Sequence, residues 1–354
     1  MYACAYNYYI NISNLKKWFV NNSGTTEKQE AYKIWSRWII THLSLKKQVD
    51  PFLPYTGVYS DVQIIKELIS KGSTLKKATA FYRIFLAKVR EFLKTHPPQP
   101  PRKCSWTYED RDTYFNPDIL CTCDTDHSTV NLSYNKIIHT ISTVKYQQLC
   151  ELYNTCNYGF GNRVNYHIWT LYTQYNLLDG KSLQWALPPA VFQLLSDYMG
   201  CQTELFASPI NSTYRQYYSL FQHDKFFGSR GNFFTAPDSD FVAGCYQANP
   251  PFIDAIFSRT ADRINNLLQI AEKNSRELTF VFIMPNWLDC QAYREFTASP
   301  YCRKELILKH NEHRYIGENN RFIRVHFNTH IFFLSTNVRI CSTFLENQIR
   351  QRFR

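Results

Sequence analysis

The chain has 354 residues, 44% of them hydrophobic, enough for about two domains with ordinary buried cores. No apolar run reaches the length of a membrane-spanning helix, and the eleven scattered cysteines lack the spacing of a disulfide framework, so a soluble, intracellular, reduced protein is expected, with no membrane partner. The net charge of +11 is uneven: residues 1–103 hold 17 Lys/Arg against 6 Asp/Glu, whereas residues 104–354 hold 23 of each, so a basic module for a polyanion precedes a neutral one.

Amphipathic segments at 15–20 and 29–43 predict helices, the second with Trp35, Trp38 and Ile39 on helical spacing. After the break at Pro51 and Pro54, residues 61–70 and 75–95 resume the pattern. The last of these is strongly basic. Lys76, Lys77, Arg83, Lys88, Arg90 and Lys94 offer a phosphate-binding face, although a solvated helix has the same composition. The proline-rich run from His96 to Pro101 marks a boundary, which sets residues 1–103 apart as a basic helical domain.

Residues 104–150 read as irregular or β, and 146–178 as helical except at Tyr158-Gly-Phe-Gly161, so 104–180 is taken as a connecting segment. Cys121 and Cys123 lie near His127, but a second ligand pair is missing and no metal is expected.

A helix at 190–199 follows Pro188-Pro189. Residues 204–211 read as a strand and turn, and 212–221 as a helix. Arg230 sits in a glycine-flanked loop suited to phosphate or carboxylate. An apolar strand from Phe241 breaks at Asn249-Pro-Pro-Phe252, ahead of a helix with Ile253, Ile256, Phe257, Ile264, Leu267 and Leu268 on one stripe. The continuous apolar run 278–285 predicts a central parallel strand. Residues 288–323 read as a loop-rich insert, 324–335 as a closing strand, and Arg350, Arg352 and Arg354 as a frayed end. The core is thus placed at 181–340 and a basic tail at 341–354.

Asn-Pro-Pro-aromatic at a strand end suits methylation of an exocyclic amine on a flat base. The Asn249 side-chain oxygen and the Pro250 carbonyl offer two acceptors for the two N6 hydrogens of adenine. Pro250 and Pro251 supply rigidity, and Phe252 gives an extruded base a face to stack on. As a bare four-residue turn the pattern carries little, so its flanks decide.

Those flanks are Leu183-Gln184 with Leu187-Pro188, Phe206-Ala-Ser-Pro-Ile-Asn211 with Arg215-Gln-Tyr217, and Phe227-Gly-Ser-Arg-Gly231. Beyond the turn come Pro285 with Trp287, Leu306-Ile-Leu308, Glu312-His313 and Asn328-Thr329. Over roughly residues 145–337 this arrangement resembles the phosphorylated-CTD-interacting factor family, the cap-specific adenosine N6-methyltransferases. The resemblance implies an α/β fold: a Rossmann-like, class I S-adenosyl-L-methionine-dependent methyltransferase core with an N-terminal helical domain. It implies transfer of methyl to N6 of the 2′-O-methyladenosine beside the cap of capped RNA.

Carried over, Phe206, Ala207, Ser208, Pro209 and Asn211 line the cofactor pocket, with Arg230 beside them, and Asn249, Pro250, Pro251 and Phe252 hold the adenine. Arg215, Lys77, Arg83, Lys88 and Trp287 are candidates for RNA contact. Two departures stand out. No pair of tryptophans frames a WW module, which argues against binding a phosphorylated polymerase tail, and Gln247 stands where an acid is expected. A non-catalytic capped-RNA-binding relative and a DNA adenine N6-methyltransferase are the alternatives. The resemblance places the protein in the nucleus, with the cytoplasm as the alternative.

Overall fold

The computed structural model describes residues 3–45, 52–53, 62–96, 119–134, 136–156, 163–178, 184–317, 321–340 and 342–354. The proline-rich run at 97–101, residues 104–118 and the segment 158–161 lie outside them. Two compact units form, Met1–Gly180 and Lys181–Arg354. Among the described residues no helix is long and apolar enough to cross a membrane.

The first unit opens with helices α1 (Ala3–Asn22), α2 (Lys28–Leu45), α3 (Val62–Ser70) and α4 (Leu75–Thr95). Helix α4 starts where the Thr74 side chain caps the Lys77 amide, and it buries Ala78, Phe81, Tyr82, Phe85, Val89 and Phe92 at helical spacing. Those rings meet an aromatic core: Phe85 lies 4.9 Å from Phe19 and 5.0 Å from Trp38. An antiparallel sheet follows, made of β1 (Leu120–Cys123), β2 (Thr129–Tyr134) and β3 (Ile137–Ser142) in that order. Helices α5 (Thr143–Cys156) and α6 (Val164–Leu178) complete the unit. Most of α6 is buried, and its Leu177 carbonyl accepts the indole N–H of Trp35 in α2 at 3.1 Å. Cys121 and Cys123 are exposed, and no group of His, Cys, Asp and Glu able to hold a metal occurs among the described residues.

The second unit begins with α7 (Pro189–Met199), which has proline in its first turn and left-handed Gly200 as its C-cap. Strands β4 (Cys201–Ala207), β5 (Gln216–Ser219) and β6 (Gly244–Ala248) lead to α8 (Asp254–Lys273), β7 (Leu278–Pro285), α9 (Gln291–Ala298) and β8 (Cys302–Leu308). A small antiparallel pair, β9 (Arg314–Ile316) and β10 (Phe322–Arg324), precedes β11 (Thr329–Ser335) and α10 (Thr343–Arg352). The main sheet is mixed, with order β5-β4-β6-β7-β11-β8. Strands β5, β4, β6 and β7 are mutually parallel, and β11 runs antiparallel to both its neighbours. One face packs on α8 and α9 through Phe257, Ile264, Leu268 and Phe296, the other on α7 and α10 through Phe192, Leu195, Leu345 and Ile349. The second unit is therefore a mixed α/β fold with both sheet faces covered.

Four local expectations change. Residues 216–219 form β5 where a helix is predicted, because Tyr217 and Tyr218 are buried in the sheet and the Glu204 carboxyl captures the amides of Thr213 and Tyr214. The segment 288–323 is regular, holding α9, β8 and β9. The closing strand enters the sheet interior, between β7 and β8. Where a frayed end is expected, α10 buries Leu345 and Ile349, and Arg350 donates to the Ile307 carbonyl at 2.7 Å.

Candidate active site

The strand order reverses between β4 and β6: the chain leaves β4 toward β5 on one side and later builds β6 and β7 on the other. Open α/β sheets bind ligands outside the carboxyl ends of strands at such a point. The two motifs read from the sequence, residues 206–211 and 249–252, emerge there from β4 and β6.

A strap of three residues crosses both strand ends. Ala186 exchanges two 2.8 Å backbone hydrogen bonds with Ile316 of β9. Ser208 Oγ donates to Gln184 Oε1 at 2.8 Å, and Asn249 Nδ2 donates to the Trp185 carbonyl at 3.1 Å. A carbonyl only accepts, so this contact fixes the Asn249 amide: nitrogen toward Trp185, oxygen away. Oδ1 is then buried with no partner among the described residues. A buried carbonyl oxygen left unsatisfied costs ~1–3 kcal/mol, which marks it as a waiting acceptor. Gln184 and Trp185 acquire these roles only in the folded chain.

Pro250 is buried, Pro251 half-buried, and the Ile253 amide donates to the Pro251 carbonyl at 2.7 Å, a tight turn with Phe252 at its centre. Phe252 is half-buried and is not walled in by core. It lines a cleft of about 500 Å³ with Pro285, Asn286, Trp287, Phe327 and Asn328. Trp287, 38% exposed, meets Phe252 nearly at right angles with ring centroids 6.3 Å apart. Asn249, Pro250 and Pro251 are not among the residues lining that cleft.

The loop after β4 is braced by its own side chains. Asn211 Oδ1 accepts the Ser208 amide at 2.7 Å, and the Ser208 hydroxyl lies 2.9 Å from the same oxygen. Those groups hold the turn's shape. Phe206 and Ala207 are half-buried, Pro209 is buried, and Phe206 packs on Phe233 at 5.5 Å. Glu204, unmarked in the sequence reading, closes this loop from below: Oε1 accepts the Thr213 and Tyr214 amides at 2.7 Å each. Burial pushes its carboxyl up to about 7 against the lowering effect of those amides. A lone acid inside a buried strand was the available signal. Gln247 faces Glu204 across β4 and β6, is 1% exposed, and leaves its Nε2 without a partner among the described residues.

Arg230 is exposed between two glycines of positive φ, Gly228 at 90° and Gly231 at 93°. Its loop runs beside β5, with the Arg230 amide on the Tyr217 carbonyl at 2.9 Å and the Ser219 amide on the Gly231 carbonyl at 2.8 Å. Burial raises the pKa of the nearby Tyr218 hydroxyl, and Arg230 opposes that shift. Arg215 is exposed. In the first unit Lys77 and Arg83 are exposed, whereas the Lys88 ammonium lies over the Trp18 ring at 5.1 Å.

A family model described as "Phosphorylated CTD interacting factor 1 WW domain" matches residues 146–318. The expectation of a chain lacking that module is thereby overturned, and the argument against binding a polymerase tail falls with it. The match extends over residues 146–318, and a pair of framing tryptophans is therefore not the mark of this family here. Two curated relatives are each named mRNA (2'-O-methyladenosine-N(6)-)-methyltransferase: one from Mus musculus, 33% identical, and one from Homo sapiens, 34% identical, both over 159 residues. The alignments cover 42% of this chain and 21% of each relative, so the chain spans about a fifth of their length. Over the residues that hold the β4 and β6 strand ends, then, the chain is similar to the phosphorylated-CTD-interacting factor family.

Proposed function

We propose that the chain transfers methyl from S-adenosyl-L-methionine to N6 of the (2′-O-methyl)adenosine next to the cap of capped RNA. The second unit would serve as a Rossmann-like class I methyltransferase core, and the basic helices of residues 1–103 would contribute RNA contacts. The observation that carries the reading is the Asn249 amide: Trp185 holds its nitrogen, and its buried oxygen has no partner. The names of the two relatives and the reversal of strand order between β4 and β6 support the same assignment.

Bound at the mouth of β4, the cofactor supplies an electrophilic methyl carbon. The residues present fit it: the braced Ser208–Asn211 turn admits close approach, Arg230 offers a cation for a carboxylate, and Gln247 Nε2 is a buried donor in want of an acceptor. Asn249 Oδ1 and the Pro250 carbonyl accept the two N6 hydrogens, which favours a pyramidal amine with its lone pair available. Phe252 stacks on the base. No strong general base is required, because orientation of this kind supplies up to ~7–11 kcal/mol of the barrier. A nucleotide near a free RNA end is also cheaper to extrude than one in a duplex, where flipping costs a few kcal/mol.

The test is methyl transfer to capped RNA, uncapped RNA and duplex DNA, each with a target adenosine, read by nucleoside mass spectrometry. N6-methyladenosine confined to the first nucleotide of capped RNA is expected. Equal labelling of duplex DNA would reassign the substrate, and cofactor binding without transfer would make the chain a non-catalytic RNA binder.

A further inference from the structure

The three-residue turn centred on Phe252 is not the only one of its kind. At the end of β7 the Trp287 amide donates to the Pro285 carbonyl at 2.7 Å, again across three residues, and sets Asn286 at the centre as Phe252 is set after β6. Both central residues line the same cleft.

Behind Asn286 stands buried His330 of β11. Its Nδ1 faces Glu305 Oε1 at 2.5 Å and its Nε2 faces Asn286 Oδ1 at 2.6 Å. Asn286 Oδ1 only accepts, so Nε2 donates to it, while Nδ1 shares its contact with the Glu305 carboxyl. Tyr293 packs edge-on against His330 at 5.4 Å, and burial together with nearby Glu305 raises the pKa of its hydroxyl. Asn328 is fixed independently, because its Oδ1 accepts the His310 backbone amide at 2.8 Å. The backbones of the two asparagines are tied by a 2.9 Å bond from the Asn286 amide to the Asn328 carbonyl. Each side-chain amide therefore has its oxygen committed and its NH2 end left over among the described residues, and the cleft between them is walled by Phe252, Trp287 and Phe327. His310 and His326 also line it, and among the described residues no carboxylate does.

We propose that this cleft takes an adenine ring and that Asn286 and Asn328, held with their N–H groups outward by His330 and the His310 amide, read its ring nitrogens. The identity of the ligand rests on the function proposed above. Once the amine of adenine is removed from consideration, every polar atom left on the base is an acceptor, which the two outward NH2 groups satisfy. Guanine presents N1–H and a 2-amino group, and meets donors with donors. Glu305 and His330 act through Asn286 and are positioning residues.

The test uses the full chain, saturation-transfer NMR and four probes: adenosine monophosphate, its 1-deaza and 7-deaza analogues, and guanosine monophosphate. Saturating S-adenosylhomocysteine blocks any cofactor adenosine site. Adenosine monophosphate should bind about tenfold more tightly than guanosine monophosphate, and at least one deaza analogue should lose about tenfold. That loss should disappear in Asn286→Ala or Asn328→Ala. Asn286→Asp, which turns a donor into an acceptor at an exposed site, should shift preference toward guanosine monophosphate, an outcome misfolding does not produce. His330→Phe should reduce the adenine preference without abolishing binding. Absence of adenosine monophosphate binding, equal affinity for all four probes, or deaza penalties unchanged in both alanine variants overturns the inference. The expected preferences without any methyl transfer would leave it standing and sink the enzymatic reading instead.

Discussion

Glu204 Oε1 accepts the backbone amide of Tyr214 at 2.7 Å from inside a strand whose other buried side chains are Cys201, Thr203 and Leu205. This one contact shapes the loop between β4 and β5. Burial raises the Glu204 carboxyl from 4.5 to about 7. A raised carboxyl favours the neutral folded form, so its stabilising effect is complete below about pH 4.5 and is lost as pH rises to about 7. The loss amounts to about 3 kcal/mol. Hydrogen exchange of β4 and β6 amides should therefore report falling protection across this window, and Glu204→Gln should flatten the profile. An unchanged slope in that variant would reject Glu204 as its source.

His139 gives the opposite sign in the first unit. Its Nε2 faces Thr173 Oγ1 at 2.7 Å, and that hydroxyl already donates to the Trp169 carbonyl, so the ring must donate. Nδ1 lies 3.2 Å from Asn176 Nδ2 and accepts. This is the neutral ring, and burial lowers its pKa from 6.5 to about 4. Stability present above pH 6.5 should be lost as pH falls toward 4, by roughly 3 kcal/mol. Thermal unfolding of the first unit that is flat from pH 7 to 4 would contradict this.

Asn249→Ala should reduce methyl transfer at least ~10²-fold while cofactor affinity measured by calorimetry stays within about twofold, since an oriented acceptor is lost together with one hydrogen bond to the Trp185 carbonyl. Unchanged turnover would remove Asn249 from the reaction.

Arg263 clamps the loop before β6 onto α8. Its guanidinium lies over Phe233 at 5.1 Å and Phe241 at 5.5 Å, and Nη2 donates to the Ala236 carbonyl at 2.6 Å. Arg263→Met should cost about 2–4 kcal/mol, from two ring contacts and a charged hydrogen bond. Urea unfolding within 0.5 kcal/mol of the parent would show the clamp to be dispensable.

On α4, Lys76, Arg83 and Arg90 form an exposed stripe seven residues apart, ~10 Å along the axis. Replacing all three by alanine should weaken RNA binding and lower the salt slope by about 2. Lys88→Ala should do less, because its ammonium already rests on Trp18. Anisotropy titrations at several salt concentrations decide, and an unaltered slope places the RNA elsewhere.

The local elements of this chain were legible because burial leaves a periodic trace. The stripes of α4 and α8 and the apolar run of β7 each matched the face or strand they form. Asn249-Pro-Pro-Phe252 could be set at a strand end because two prolines cannot continue a ladder. The helix expected at 212–221 failed for a non-local reason: Glu204, nine residues from Thr213, takes the amides that a helix would need.

The sequence by itself determined that a strand stops at Asn249, that α4 and α8 carry apolar stripes, and that the positive charge gathers in the first 103 residues, since each of these is written in neighbouring side chains. Only the tertiary structure decided that β11 inserts between β7 and β8, that Trp185 turns the Asn249 amide, and that His330 and Glu305 stand behind Asn286. Those relations join residues far apart in the chain. A polar atom is known to be free or committed only once the backbone has chosen its neighbours.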